Sequence, residues 1–174
     1  MILQVFTTVG ASLFENYRKY RPKDIDAVYD VLKDKGNKDW EGNQSRIERL
    51  RTTVSKWADN NDNACAEIKS VIKIVKREKN DCDIHLLASD TIISRLAAEI
   101  IEDELHERQI DGFTVEAHFD PDKDVIKGLQ VGDRKLFEKE GLVNLVEHLN
   151  LAYFRTSRVT AVKWRKPSTN CIKG

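Results

Sequence analysis

The chain has 174 residues, 40% of them hydrophobic and 33% charged, which suits one domain with a core under a well-solvated surface and argues against disorder. Its 29 Lys+Arg cancel its 29 Asp+Glu, so it is not a generic polyanion binder, and no DNA partner is expected. No apolar run approaches the roughly 20 residues that span a bilayer, and the first apolar segment breaks at Gly10 and Ser12 without a basic start, so neither a membrane partner nor a secretory leader is expected.

In chain order, Met1–Thr8 (MILQVFTT) reads as a buried strand feeding the turn Val9-Gly10-Ala11-Ser12. Leu13-Phe14-Glu15-Asn16-Tyr17 opens a helix that stops near Pro22. Asp24–Lys35 places Ile25, Val28, Val31 and Leu32 on one helical face and meets Gly36 as a C-terminal stop. Asn43–Asp59 is a polar helix carrying Ile47, Leu50, Val54 and Trp57. Asn63 reads as an N-cap for Ala64–Lys79, whose stripe is Ala64, Ile68, Val71, Ile72 and Val75.

Asp83–Ala88 (DIHLLA) is a second buried strand, punctuated by Ser89-Asp90-Thr91. The helix Ile92–Glu107 follows, with Ile93, Leu96, Ala97, Ile100 and Ile101 inward. Phe113–His118 and a short Asp124–Gln130 are the next strands. A helix over Asp133–Ala152, interrupted at Gly141, and a last strand over Arg158–Trp164 complete the series. Alternation of strand and helix requires crossover connections, hence a Rossmann-like α/β fold: a mostly parallel sheet with helices on both faces, one domain over residues 1–174. The apolar strand cores at 2–6 and 84–88 fit burial on both sides.

Charge is unevenly spread. Residues 155–174 hold six basic residues (Arg155, Arg158, Lys163, Arg165, Lys166, Lys173) and no acid, so residues 1–154 carry a net −6. The basic segment is a solvated tail or a cationic rim for an anionic ligand. Cys65, Cys82 and Cys171 are odd in number and lack metal-type spacing, as expected of reduced thiols in a cytoplasmic protein.

In parallel sheets the ligand sits beyond the carboxyl ends of the strands. Strand one ends in Thr7-Thr8-Val9-Gly10-Ala11-Ser12-Leu13-Phe14-Glu15-Asn16, where Gly10 allows a tight turn and the helix start offers amides to an anion. Ser12 and Asn16, four apart, share a helix face and suit phosphate, ribose or base contacts. Strand two ends in Ser89-Asp90-Thr91 and the later strand in Lys127-Gly128-Leu129-Gln130. Singly, Ser, Asp and Thr at helix starts are ordinary caps; three polar clusters on one rim point to a ligand.

Neither G-x-G-x-x-G nor G-x-x-x-x-G-K-[ST] is present, which weakens dehydrogenase and P-loop readings. His85 lies inside a strand, His106 and His148 late in helices, and His118 in a loop-like stretch; none joins a His/Cys/Asp set with metal spacing, and neither metal nor cofactor is expected. Cys65 and Cys82 read as buried small hydrophobes, and Trp40 and Trp57 as packing residues. Trp164 beside Arg165 and Lys166 packs likewise or stacks on a base.

Phe6-Thr7-Thr8-Val9-Gly10-Ala11-Ser12-Leu13-Phe14-Glu15-Asn16 resembles the first motif of CRISPR-associated Rossmann-fold (CARF) sensor domains, a T-x-G-x-S-L-x-x-N pattern after the first strand. Ala64-Cys65-Ala66-Glu67-Ile68, His85–Thr91, and Ile126–Val131 with Phe137 and Gly141-Leu142-Val143-Asn144-Leu145 are similar to later segments of that family, in the same order. The resemblance covers roughly residues 1–150. It implies a homodimer that binds cyclic oligoadenylate, most often the four-adenylate ring, the second messenger of type III CRISPR antiviral signalling. It also implies ligand contacts at Thr8, Gly10, Ala11, Ser12, Leu13 and Asn16, at Ser89, Asp90 and Thr91, and at Lys127, Gly128, Leu129 and Gln130.

Two features depart from the family. Its N-x-T-G-G-[YF]-K segment is replaced by Val159–Asn170, which lacks the glycine pair, so Lys163, Arg165 or Lys166 would substitute electrostatically. There is no R-x-x-x-x-H ribonuclease pair, so an effector would be separate or removed. The leading reading is a sensor module. The alternative is a slow, metal-independent ring nuclease that cuts the ring to linear di-adenylate with a 2′,3′-cyclic phosphate. There each ribose 2′-hydroxyl attacks its own 3′-phosphate, Ser12 and Asn16 orient the reacting groups, and Lys127 or the basic tail steadies the oxyanion. A further alternative is an ordinary nucleotide-binding Rossmann-like protein outside the CRISPR setting.

Overall fold

The computed structural model describes residues 2–129 and 139–149. The first strand, β1 (Leu3–Val9), turns at residues 10–11 into α1 (Ser12–Tyr20), and α2 (Pro22–Leu32), α3 (Gln44–Ala58) and α4 (Ala66–Glu78) follow before β2 (Cys82–Ser89). Then come α5 (Ile92–Leu105), β3 (Arg108–Ile110), β4 (Phe113–His118), β5 (Val125–Ile126) and α6 (Lys139–Leu149).

The sheet runs β1-β2-β4-β3, with β5 also on β2. β1, β4 and β5 are all parallel to β2, and β3 is antiparallel to β4. β4 pairs with residues 82–85 of β2 and β5 with Ala88 and Ser89, so the two lie end to end along one side of it. The fold is therefore α/β with a mostly parallel sheet, as the alternation of elements predicts.

One sheet face presents Val5 and Val9, Ile84, Leu86 and Ala88, and Val115 and Ala117 to the main core. α5 fills that core with Ile92, Ile93, Leu96, Ala97, Ile100, Ile101 and Leu105, all buried. The stripes predicted on α3 and α4 are buried too: Ile47, Leu50 and Val54, and Ala64, Ile68, Val71, Ile72 and Val75. Burying each such aliphatic side chain contributes about 1.5–3 kcal/mol. On the opposite face, Leu87 joins Ile126 and Leu129 in a small cluster against Leu145 and Leu149 of α6.

Several local expectations are corrected. On α2 the inward residues are Ile25, Tyr29 and Leu32, while Val31 is 44% exposed; Tyr29, three residues before Leu32 and four after Ile25, takes the place assigned to Val31. α4 begins at Ala66 with Cys65 as its N-cap, the Sγ accepting from the Ile68 amide, so Asn63 is not the cap. α5 ends at Leu105, two residues short of the expected Glu107, and residues 108–110, to which the sequence pattern assigns no element, form β3. α6 runs through Gly141 without interruption. β1 lies at the sheet edge among the described residues, and Gln4 is exposed, so it is not buried on both sides like β2. The expected strand Arg158–Trp164 lies outside the described residues.

Candidate functional site

Parallel pairing brings the carboxyl ends of β1 and β2 side by side, with Val9 opposite Ala88. Beyond β1, Ala11 occupies the N-cap position of α1, where it has no side-chain oxygen to satisfy the helix's first amides. Glu67 of α4 supplies that charge instead. Its Oε2 accepts from Ser12 Oγ at 2.5 Å and its Oε1 from the Gly10 amide at 3.3 Å. The carboxylate is 8% exposed and faces the positive end of the α1 dipole.

Ser12 and Asn16 do share a face of α1, and that face docks on the start of α4: Asn16 Nδ2 donates to the Ala64 carbonyl at 3.1 Å. Lys19 Nζ reaches Asn16 Oδ1 at 3.5 Å. Both Ser12 and Asn16 are half-buried. Leu13 is fully buried, so that position can offer a ligand only its backbone. Thr8 lies on the sheet face of Leu87, and Gly10 turns without a left-handed φ; the described glycines with positive φ are Gly112 and Gly128.

At the end of β2 the cluster is knitted internally. Thr91 caps α5, its Oγ1 accepting from the Ser94 amide at 3.2 Å. Ser94, buried and not anticipated from sequence, accepts from the Ser89 amide at 2.9 Å and donates to the Val9 carbonyl at 2.5 Å. It thereby locks the two strand ends together. The signal for it was the Thr-x-x-Ser spacing at a helix start, which places a second hydroxyl over the first turn. The Lys35–Gly36 segment crosses here, pairing with Thr91 and taking the Ile92 amide. Asp90 forms no ion pair among the described residues.

Lys127 and Gly128 follow β5 and are exposed, and Gly128 has φ 71°. The Lys127 carbonyl accepts from Asn144 Nδ2 at 2.8 Å, tying this turn to α6. Leu129 is packed into the apolar cluster under α6, so like Leu13 it presents backbone rather than side chain. Gln130 lies outside the described residues. The structure thus gathers Thr8, Gly10–Ser12, Ser89–Thr91 and Lys127–Gly128 on the carboxyl rim of neighbouring strands.

The other titratable groups are engaged elsewhere. His85 stacks between Phe6 (4.9 Å) and His118 (5.2 Å) and shares a 2.8 Å hydrogen bond with Gln4. Its pKa lies below the usual histidine value, first through burial and then through neighbouring His118. His106 approaches Glu116 at 3.3 Å, and His148 approaches Asp124 at 3.1 Å. Burial, and after it the Glu67 charge, push the Cys65 thiol up to about 12; burial and Asp83 take Cys82 to about 11. Neither is a thiolate near neutral pH. Among the described residues no cluster of three His, Cys, Asp or Glu could hold a metal ion, and no helix is long and apolar enough to cross a membrane.

A model of the family described as CRISPR-associated protein (Cas_APE2256) matches residues 62–161. That span contains Glu67, Ser89–Thr91 and Lys127–Gln130, while Gly10, Ser12 and Asn16 precede it and are joined to it through Glu67 and Ala64. No curated protein matches the chain.

Proposed function

The matched span is more than half of the chain, which therefore belongs to the CRISPR-associated Cas_APE2256 family, and from that premise we propose that it is a sensor module binding cyclic oligoadenylate, foremost the four-adenylate ring, as a homodimer in type III CRISPR antiviral signalling. Membership in a CRISPR-associated family sets aside the reading of an ordinary nucleotide-binding protein outside that setting.

The observation that carries the proposal is the oxyanion already held at the end of β1. The Gly10 amide and the Ser12 hydroxyl converge on two carboxylate oxygens. A phosphodiester presents two oxygens of the same charge and similar spacing, so the groups that hold Glu67 can hold a backbone phosphate once Glu67 turns aside. Lys127 on the same rim supplies a cation for the next phosphate, and Asn16, released from the Ala64 carbonyl, an amide for a ribose or base. Two such rims related by a two-fold axis match a ring of four equivalent nucleotides.

A second reading draws on the 2.5 Å Ser12–Glu67 pair. A carboxylate beside a hydroxyl can accept the proton of a ribose 2′-hydroxyl as its oxygen attacks the adjacent phosphorus. The 5′-oxygen then leaves with a proton from water or Lys127, giving a 2′,3′-cyclic phosphate and a free 5′-hydroxyl. One incubation with radiolabelled cyclic tetra-adenylate tests both. Ring retained intact on the protein supports the sensor, linear di-adenylate ending in a cyclic phosphate supports the nuclease, and no retention and no product overturns both.

A further inference from the structure

Away from the strand ends, the junction of α1 and α3 holds a cleft of about 520 Å³ lined by Tyr17, Arg21, Thr52, Thr53, Lys56 and Trp57. Its floor is aromatic. The Tyr17 ring meets Trp57 edge-on at 5.5 Å, and Tyr20 tilts towards the same indole at 6.0 Å. Tyr17 is buried and anchored by its hydroxyl to Asp24 at 3.0 Å, whereas Tyr20 is 74% exposed. The exposed Tyr20 ring, beside the lining residues rather than among them, extends the aromatic surface of the half-buried Trp57 towards solvent.

The walls are cationic. Arg21 and Lys56 are exposed, and neither forms an ion pair among the described residues, although seven other Lys or Arg side chains do. Arg49, one and two turns before Thr53 and Lys56 on the same face of α3, is likewise exposed and without an ion pair among the described residues. Two neighbouring acids are committed elsewhere: Asp24 to the Tyr17 hydroxyl, and Glu48 to Arg51 and the Thr52 hydroxyl. The lining residues themselves include no acid.

Aromatic rings beside cations that make no ion pair among the described residues, and two hydroxyls, are the complement of a nucleotide unit: base on the rings, phosphate on the cations, sugar on the hydroxyls. The volume is in the range of small-ligand sites. We propose that this cleft is a second nucleic-acid-recognition site, separate from the rim at the strand ends, that takes a nucleoside phosphate unit with its base against Trp57 and Tyr20 and its phosphate between Arg21 and Lys56. It does not depend on the ring-binding proposal.

The test uses the full chain and two linear probes, adenosine monophosphate and an eight-nucleotide oligoadenylate RNA, followed by calorimetry at low salt. The variants are the paired charge reversal Arg21→Glu with Lys56→Glu, and Tyr20→Ala, all at exposed positions. Binding of the oligonucleotide, weakened at least about tenfold by the charge reversal and severalfold by Tyr20→Ala, supports the site as a strand groove; equal effects on the monophosphate support a mononucleotide pocket. The loss caused by the charge reversal must be the same in a Ser12→Ala background, where any binding at the strand-end rim is weakened. No binding of either probe, or binding indifferent to the charge reversal, overturns the proposal. So does a charge reversal that alters only the oligomeric state seen by sedimentation, since the cleft would then be a protein interface.

Discussion

A carboxylate taken out of water is costly unless its oxygens are met, and those of Glu67 are met by the Gly10 amide and the Ser12 hydroxyl. Any anion entering this turn must displace a like charge. Two unit charges about 4 Å apart repel by about 4 kcal/mol at a surface-like effective dielectric, and rotation of Glu67 relieves most of that. Glu67→Gln should therefore tighten cyclic tetra-adenylate binding by about tenfold while lowering folding stability by about 1 kcal/mol, because neutral acceptors bond more weakly. Calorimetry and thermal melts read the two effects, and the opposite signs distinguish an occupied ligand position from a structural staple. Weaker binding by the variant would contradict that account.

His85 supplies a pH test at the same scale. Its folded pKa lies below the ordinary value of about 6.5, because burial and the adjacent His118 disfavour the imidazolium. The unfolded chain then takes up the proton first as pH falls. The stability His85 contributes is complete above about pH 6.5 and is lost as pH falls through the folded value. Melting temperatures of the wild type should decline more steeply than those of His85→Gln between pH 7 and 5.5; parallel curves would refute it.

Among the elements, those with long, regular apolar spacing were readable in advance. α3, α4 and α5 bury the residues their 3.6-residue period marks, because each has one core-facing side. Elements set by short-range geometry were less so. β3 is three residues long, too short for a periodic signal, yet its hairpin was announced by Asp111-Gly112. Both residues have positive φ, 52° and 87°, as a type I′ turn requires. A Cβ at Gly112 would meet nothing within 4 Å, so Gly112→Ala isolates backbone strain. It should cost about 1 kcal/mol and about 3 °C in melting temperature, and Gly112→Asn less, since asparagine tolerates left-handed backbone. An unchanged melt for the alanine variant would show that the turn relaxes.

At the scale of the molecule, sequence alone implied a parallel sheet and hence a rim where its strand ends gather polar residues, and the fold agrees. What the sequence could not reveal is how those residues are occupied. Ser12 and Asn16 are 55 and 48 residues from their partners Glu67 and Ala64, and Ser94 bridges 85 residues to Val9; nothing in local pattern encodes such pairings. Leu13 and Leu129, grouped with the ligand contacts by motif, are buried instead, Leu13 in the main core and Leu129 in the small cluster under α6. Gly10, Ser12, Asn16, Ser89 and Thr91 are thus engaged by internal hydrogen bonds, and the proposed function requires a ligand to take over those of Gly10, Ser12 and Asn16.

The most direct measurement of that claim is calorimetric titration of the purified chain with cyclic tetra-adenylate, beside Ser12→Ala and Asn16→Ala combined. Saturation at one ring per two chains, with affinity lost in the double variant although it still melts cooperatively, is the predicted result. No heat of binding in either protein, or equal affinity in both, would contradict it.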